Sequence, residues 1–456
     1  MTQAVDGMRA NSSGGVDPYT PGHGSGDWTA LHYDLDLDYR LASNRLAGRA
    51  VITGRAAGPA SRLLHRIELD VAGLKVTRVN LDAGRVLRFS LRGSRLVVTV
   101  AEPLTGGQEF TLHIKYGGYP LPLKSVWGEL GWEELTDGVL VAGQPTGSPS
   151  WFPCNDHPSQ KATYRIAVTT DANYRAICNG QLISHTPRAS RGTWVYNQPE
   201  PMATYLATVQ IGRYQLDRSS TSPVPQFIAA PAGLREAARR ALVRQPEMMA
   251  LFIELFGPYP FGAYTVVVAD DVLEIPLEAQ SLSILGRNHL TIGWESQRLI
   301  AHELSHQWFG NSLTADSWRD IWLHEGFACY AEWLWSEQSG SLTTEQRATN
   351  AWRGLAAEPE DLLIGNPGAV NMFDDRVYKR GALALHALRT SVGDQLFFTL
   401  LRAWTTQFGH RNVATADLVT VADDVCAGVT GFDAAELLKP WLYQTRLPLL
   451  PRPRRD

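Results

Sequence analysis

No stretch of this 456-residue chain is basic enough to track a phosphate backbone, and none is apolar for long enough to cross a bilayer. The 42 Lys and Arg are balanced by 46 Asp and Glu, so composition gives no reason to expect nucleic acid or an anionic membrane as partner. Cysteine is scarce. Cys154, Cys178, Cys329 and Cys426 lie far apart with no C-x-x-C pair, which argues against a cysteine zinc site and against a disulfide scaffold. Reduced thiols and a cytoplasmic location are expected. Met1 to Ala10 contain no apolar core of signal-peptide length, and no internal repeat is visible. A monomer is expected.

What the sequence does contain is a concentrated set of metal-binding residue types. His302-Glu303-Leu304-Ser305-His306 forms an H-E-x-x-H motif. Two histidines four apart on a helix sit about 40° apart around its axis, so both imidazoles leave one face and can hold one Zn²⁺. Glu303 points to a neighbouring direction and suits a general base. A third ligand has to come from elsewhere. Asp320 to Trp335 reads as a second, apolar helix packed on the first, and Glu325 within it is the best candidate, which gives a His₂Glu site. The alternative is an ordinary amphipathic helix carrying surface histidines.

These residues, with Leu323-His324-Glu325-Gly326-Phe327-Ala328 and His306-Gln307-Trp308-Phe309-Gly310-Asn311, resemble the gluzincin aminopeptidases of the M1 family. The resemblance covers about residues 20 to 448. It implies one zinc per chain on His302, His306 and Glu325, with Glu303 as base, and peptide substrates with a free amino terminus. Many members of the family continue into a β sandwich and a helical domain that roofs the active site, and this sequence stops short of both.

The chain organises accordingly. Residues 1–26 are expected to be a flexible tail. In His32 to Arg40, Tyr33, Leu35, Leu37 and Tyr39 alternate with acids, the mark of a half-buried antiparallel strand. Similar runs recur at Ala47 to Ala56, Leu74 to Leu81, Val86 to Leu91, Leu96 to Val100 and Phe110 to Tyr116, so 27–215 reads as an antiparallel β domain. Pro201 to Val209 looks like its closing strand. A mainly helical, thermolysin-like catalytic domain is expected over 216–448, beginning with a helix around Leu234 to Phe256 and including a buried strand at Val266 to Ala269. Three more helices are expected at Asp394 to Phe408, Ala414 to Cys426 and Asp433 to Tyr443. Residues 449–456 read as a basic, Pro-containing tail.

Three further site residues rest mainly on the resemblance. Gln144 lies in a Pro- and Gly-rich stretch that reads as a shaped loop. On the sequence alone it is a loop residue bonding backbone, whereas the resemblance implies a grip on the substrate's amino terminus. Leu273-Glu274-Ile275-Pro276-Leu277-Glu278-Ala279 stands where the family has G-x-M-E-N, and only Glu278 is kept. An exopeptidase needs an anion for the substrate's ammonium, and Glu278 could supply it, with Glu274 as its rival. Tyr378-Lys379-Arg380-Gly381-Ala382 resembles the element whose tyrosine stabilises the oxyanion, with Arg380 in place of lysine. Taken alone, Tyr378 would be a half-buried helix tyrosine. Asp320 and Glu332 both flank the third ligand as possible hydrogen-bond partners of the histidines. His324 and His289 read as surface or loop histidines. An endopeptidase, a dual peptidase and epoxide hydrolase, and a catalytically silent peptide-binding protein remain as other readings.

Overall fold

The computed structural model describes residues 16–82 and 84–450. The first half is a β-sheet domain and the second a helical one built around a short sheet.

The largest sheet has seven strands, in the order Gln181–Arg188, Arg191–Ala203, Lys161–Asp171, Trp28–Arg40, Arg45–Ala56, Glu109–Gly118 and Lys75–Leu81. Its centre is the alternating segment. Tyr33, Leu35, Leu37 and Tyr39 are all buried, while Asp34 and Asp36 on the other face pair with Arg165. The period of two places Tyr33, Leu35, Leu37 and Tyr39 on the core side, and a bulge at Ala30 to His32 breaks the alternation before them. The strand is antiparallel to Arg45–Ala56, as expected, but parallel to Lys161–Asp171. A parallel neighbour needs a long crossover, which strand-by-strand alternation does not reveal. Two smaller sheets complete this half. One holds Leu63–Asp70, Arg95–Thr105 and Val86–Arg92. The other runs from Arg175–Cys178 through Val209–Gly212 and Gly138–Ala142 to Gly128–Leu135 and Leu123–Ser125.

The second half opens with a five-stranded sheet ordered Tyr214–Ser220, Gln226–Pro231, Tyr264–Ala269, Leu282–Gly286 and Leu277–Ala279. Tyr264–Ala269 is parallel to both neighbours and buried, which is why Val266 to Ala269 is apolar without alternation. Leu277–Ala279 is a short edge strand. Three helices surround the site: Trp294–Ser305, which carries the histidines, Trp322–Gln338, which carries Glu325, and Asp375–Val392, which carries Tyr378. The helices Asp394–Gln407, Thr415–Val425 and Ala434–Tyr443 follow close to their expected positions. Among the described residues, no helix is long and apolar enough to cross a membrane.

Several expectations need correction. The expected helix over Leu234 to Phe256 is two helices, Arg235–Ala241 and Gln245–Phe256, because Pro246 fits only a first turn and forces a restart. Pro201 to Val209 is not one strand: Arg191–Ala203 ends, Thr204–Leu206 forms a 3₁₀ turn, and Val209–Gly212 begins another strand. The glutamate helix begins at Trp322, after a 3₁₀ turn at Trp318–Asp320. The expected tail over 1–26 is docked in its described part. Asp17 is buried and accepts from the Trp318 amide at 2.7 Å, and the Tyr19 hydroxyl donates to Asn366 at 2.5 Å. The Gly24 amide donates to Asp70 at 2.9 Å. Polar residues that look like tail composition satisfy buried partners of both domains here. Residues 1–15 lie outside the described residues, as do 451–456 of the expected C-terminal tail.

Candidate active site

The histidine helix runs to Ser305, and His306 follows with helical dihedrals, its amide still bonded to the His302 carbonyl at 3.2 Å. The four-residue spacing therefore holds, and the two imidazole centroids lie 4.7 Å apart. Glu325 sits in the first turn of its own helix. Its Oε2 lies 3.4 Å from His302 Nε2 and 3.5 Å from His306 Nε2. One donor atom from each of the three residues falls within 4.8 Å of the others.

That set fits zinc. Ligands about 2.0–2.1 Å from a tetrahedral ion stand about 3.4 Å from each other, which matches both nitrogen–oxygen separations. The outer nitrogens of the rings are already committed. His302 Nδ1 donates to Glu332 Oε1 at 2.8 Å, and His306 Nδ1 donates to the Phe309 carbonyl at 2.9 Å. Each bond fixes the tautomer that leaves Nε2 with its lone pair toward the common centre.

The surrounding carboxylates concentrate negative charge on the two rings, which hold protons that a bound zinc would displace. Burial alone would push the His302 imidazolium down, yet Glu325 and Glu332 carry it up to about 10. His306 is raised to about 9 against burial, mainly by Glu325 and Glu278. Burial would raise the Glu325 carboxyl, but the two histidines hold it well below the usual carboxylate range. A buried carboxylate that stays charged between two imidazoles is a site prepared for a cation.

Glu303 is 5 % exposed, and its Oε2 has no hydrogen-bond partner among the described residues. Burial raises its carboxyl to about 8, with Glu278 adding and the two histidines opposing. Glu278 lies in the edge strand Leu277–Ala279, opposite Ser283. Its carboxyl is also raised, first by burial and then by Glu325, against the pull of His306. Tyr378 stacks on His302 with ring centroids 6.0 Å apart and planes at 18°. Burial pushes its phenol up, as do the charges of Glu325, Glu278 and Glu303, so it stays a protonated donor. A close helix crossing brings it there. A Cβ built on Gly381 would stand 2.8 Å from Gly326 Cα, so only glycine at both positions lets the tyrosine and glutamate helices approach this closely.

Gln144 lies in the loop after Gly138–Ala142, and its Nε2 is buried without a partner among the described residues. The loop is pressed against Tyr205, since a Cβ on Gly143 would fall 2.3 Å from that residue's carbonyl oxygen. No hydrogen bond joins Gln144 to the other site residues among those described.

Of the two acids left open by the sequence, Glu332 is the one that bonds a histidine. Seven residues separate it from Glu325, two helical turns, so both carboxylates lie on one face and hold opposite edges of the His302 ring. That spacing could have identified it. Asp320 instead accepts from the Thr415 hydroxyl at 2.5 Å, and burial lifts its carboxyl to about 6. His324 and His289 are not ligands, but they are buried rather than on the surface. The His324 Nε2 accepts from the Ala315 amide at 2.8 Å, and burial pushes this imidazole down to about 3. His289 Nδ1 accepts from the Gly286 amide at 3.1 Å. Arg380 is also structural, donating to the carbonyls of Pro440, Gln444, Thr445 and Arg446 and so tying down the end of the chain.

Known proteins resemble this chain over most of its length. Residues 29–206 match the Peptidase M1 N-terminal domain, and residues 241–441 match the Peptidase family M1 domain. A solved M1 zinc metallopeptidase from Deinococcus radiodurans is 31% identical, with a TM-score of 0.86 over 96% of this chain and 99% of that one. A mutant of it bound to a Tyr-Ser-Ala substrate is 30% identical, with a TM-score of 0.85. Among curated relatives, Aminopeptidase M1-B of Oryza sativa is 24% identical over 92% of this chain and 50% of its own. Human endoplasmic reticulum aminopeptidase 1 is 26% identical over 88% and 46%. The chain thus spans about half the length of the curated relatives it matches. With both family domains present in order, and with His302, His306 and Glu325 brought together within the second of them beside Tyr378, the chain belongs to peptidase family M1.

Proposed function

We propose that this protein is a zinc aminopeptidase that removes the first residue from peptides with a free amino terminus. The observation that carries the reading is the convergence of His302, His306 and Glu325 beside a buried, unpartnered Glu303. Zinc held there would supply Lewis acidity to the scissile carbonyl and to the attacking water. Glu303 takes a proton from the attacking water and passes one to the leaving amine. Tyr378 donates its phenolic O–H to the developing oxyanion. Glu278 pairs with the substrate ammonium, helped by the amide of Gln144, and this pairing sets the first peptide bond in register. The peptides named for relatives, such as Tyr-Ser-Ala, make short peptides the first substrates to try. All four cysteines are free and buried, which suits a reducing compartment, and we place the protein in the cytoplasm as a monomer.

Two experiments test the assigned roles. Tyr378→Phe keeps the ring on His302 and removes one donor that matters chiefly as the oxyanion forms. Its kcat on an aminoacyl amide should drop on the order of 10²-fold or more while KM changes little. A Phe variant with wild-type kcat would move the oxyanion role to another donor. Acetylating the substrate's amino terminus removes its charge and adds bulk beside Glu278. Hydrolysis should fall steeply, and Glu278→Ala should erase most of the difference between free and acetylated substrates. If the Ala variant kept full preference for the free amine, Glu278 would not be the ammonium's partner.

A further inference from the structure

Two side chains of the β domain end inside the catalytic domain, on the turn that follows the histidine helix. Lys161 begins the strand Lys161–Asp171 and stands opposite Ala203, the last residue of Arg191–Ala203. Tyr205 comes two residues after Ala203, in the 3₁₀ turn Thr204–Leu206. The sheet register therefore places both at the same end of one strand pair. Lys161 Nζ donates to the carbonyls of Asn311 at 3.0 Å and Ser312 at 2.7 Å. The buried Tyr205 hydroxyl donates to the Gly310 carbonyl at 3.0 Å.

Lys161 is the donor that the Ser312 carbonyl has among the described residues, but the carbonyls of Gly310 and Asn311 do not depend on Lys161 or Tyr205. The Thr314 hydroxyl, from the catalytic domain itself, already reaches the carbonyls of Gly310 at 2.7 Å and Asn311 at 3.2 Å. A buried amine is also a costly way to fill space, and burial pushes this one down to about 7. What three successive grips on one turn do provide is rigidity, and the turn has two tasks. Its Phe309 carbonyl receives the His306 Nδ1–H, while the Asn311 side chain donates through Nδ2 at 3.0 Å to the carbonyl of Ala279, next to Glu278. Gly310 leaves little slack: at φ +122°, a Cβ there would stand 3.2 Å from His306 Nδ1.

We infer that Lys161 and Tyr205 are positioning residues for the metal site: from the β domain they lock the 309–312 turn, so that the Phe309 carbonyl holds His306 with Nε2 toward zinc. This rests on the reading of His306 as a zinc ligand. It makes the β domain part of the catalytic apparatus rather than a neighbour that only shapes the cleft.

The test uses the full chain with Lys161→Met, Tyr205→Phe and, as reference, His306→Ala. Three quantities are measured: zinc affinity by competition with a chelator, the visible absorption bands of the cobalt-substituted protein, and melting temperature. Loss of a metal ligand's direct hydrogen-bond partner typically weakens metal binding by about 10–100-fold, and Lys161 and Tyr205 act one step further out, so the lower end of that range is expected. Lys161→Met and Tyr205→Phe should each weaken zinc by about that factor and shift the cobalt bands, because the His306 ring loses its fixed orientation. Wild-type zinc affinity and cobalt bands in the folded variants, even with a lowered melting temperature, would overturn the inference and leave a purely structural contact. Tyr205→Phe removes a single oxygen, so it decides the matter should Lys161→Met fail to fold. Full-affinity zinc in His306→Ala would overturn the ligand assignment itself, a separate failure.

Discussion

Glu303→Gln is expected to leave zinc in place and remove nearly all turnover. The substitution keeps the side chain's shape in a pocket where Glu303 is 5 % exposed, so packing has little reason to change. It also leaves the His302, His306 and Glu325 donors untouched. What disappears is the basic oxygen. Positioned general bases contribute roughly 10²–10⁴-fold, and this one serves both proton transfers, so a loss toward the upper end of that range is expected in kcat, with KM little altered. The environment supports the role. Burial raises the carboxyl to about 8, while both imidazoles pull it back toward ionisation. Bound zinc would add positive charge beside this carboxyl and draw it further toward its ionised, basic form. Zinc content by metal analysis and kcat on an aminoacyl amide check the two halves together. A Gln variant with full zinc and near-wild-type kcat would place the base elsewhere.

Glu325→Ala should have the opposite signature: the metal itself is lost. Two neutral imidazoles leave a zinc site short of its third protein ligand and without its negative charge. Glu332 does not substitute, because it bonds the far edge of the His302 ring through Nδ1 and cannot also reach Nε2 from there. The expected result is a folded protein that sheds zinc on desalting and shows no hydrolysis at ordinary zinc concentrations. Retention of stoichiometric zinc at wild-type affinity would show the assignment to be wrong. The two variants form a pair: one separates chemistry from coordination, and the other removes coordination.

The residues that converge on the metal were legible because each is tied to a short periodic motif. Four residues within a helix fix His302 and His306, and the second apolar helix supplies Glu325. The strands of the β domain were legible for the same reason, since Tyr33, Leu35, Leu37 and Tyr39 face the core with period two. What escaped was long-range. The parallel pairing of Trp28–Arg40 with Lys161–Asp171 joins segments that local patterning cannot connect. Lys161 and Tyr205 carry no local mark of a role, because their partners lie on another domain. Residues 17–25 look like tail, and distant partners such as the Trp318 amide, Asn366, Asp70 and Asn155 show why they are docked. His324 was misplaced because its burial depends on a helix packed on all sides, which a single sequence does not disclose.

The most direct measurement is mass spectrometry of the early products from an unmodified ten-residue peptide incubated with the zinc-loaded protein. On the proposed reading, pairing of Glu278 with the free ammonium would hold the first peptide bond against the metal centre, so that one residue leaves at a time. A ladder shortened stepwise from the amino end, abolished by a zinc chelator, is the predicted result. Internal fragments as the earliest products would contradict it. They would mean that the peptide runs through the cleft without being registered by Glu278, and that the protein is an endopeptidase.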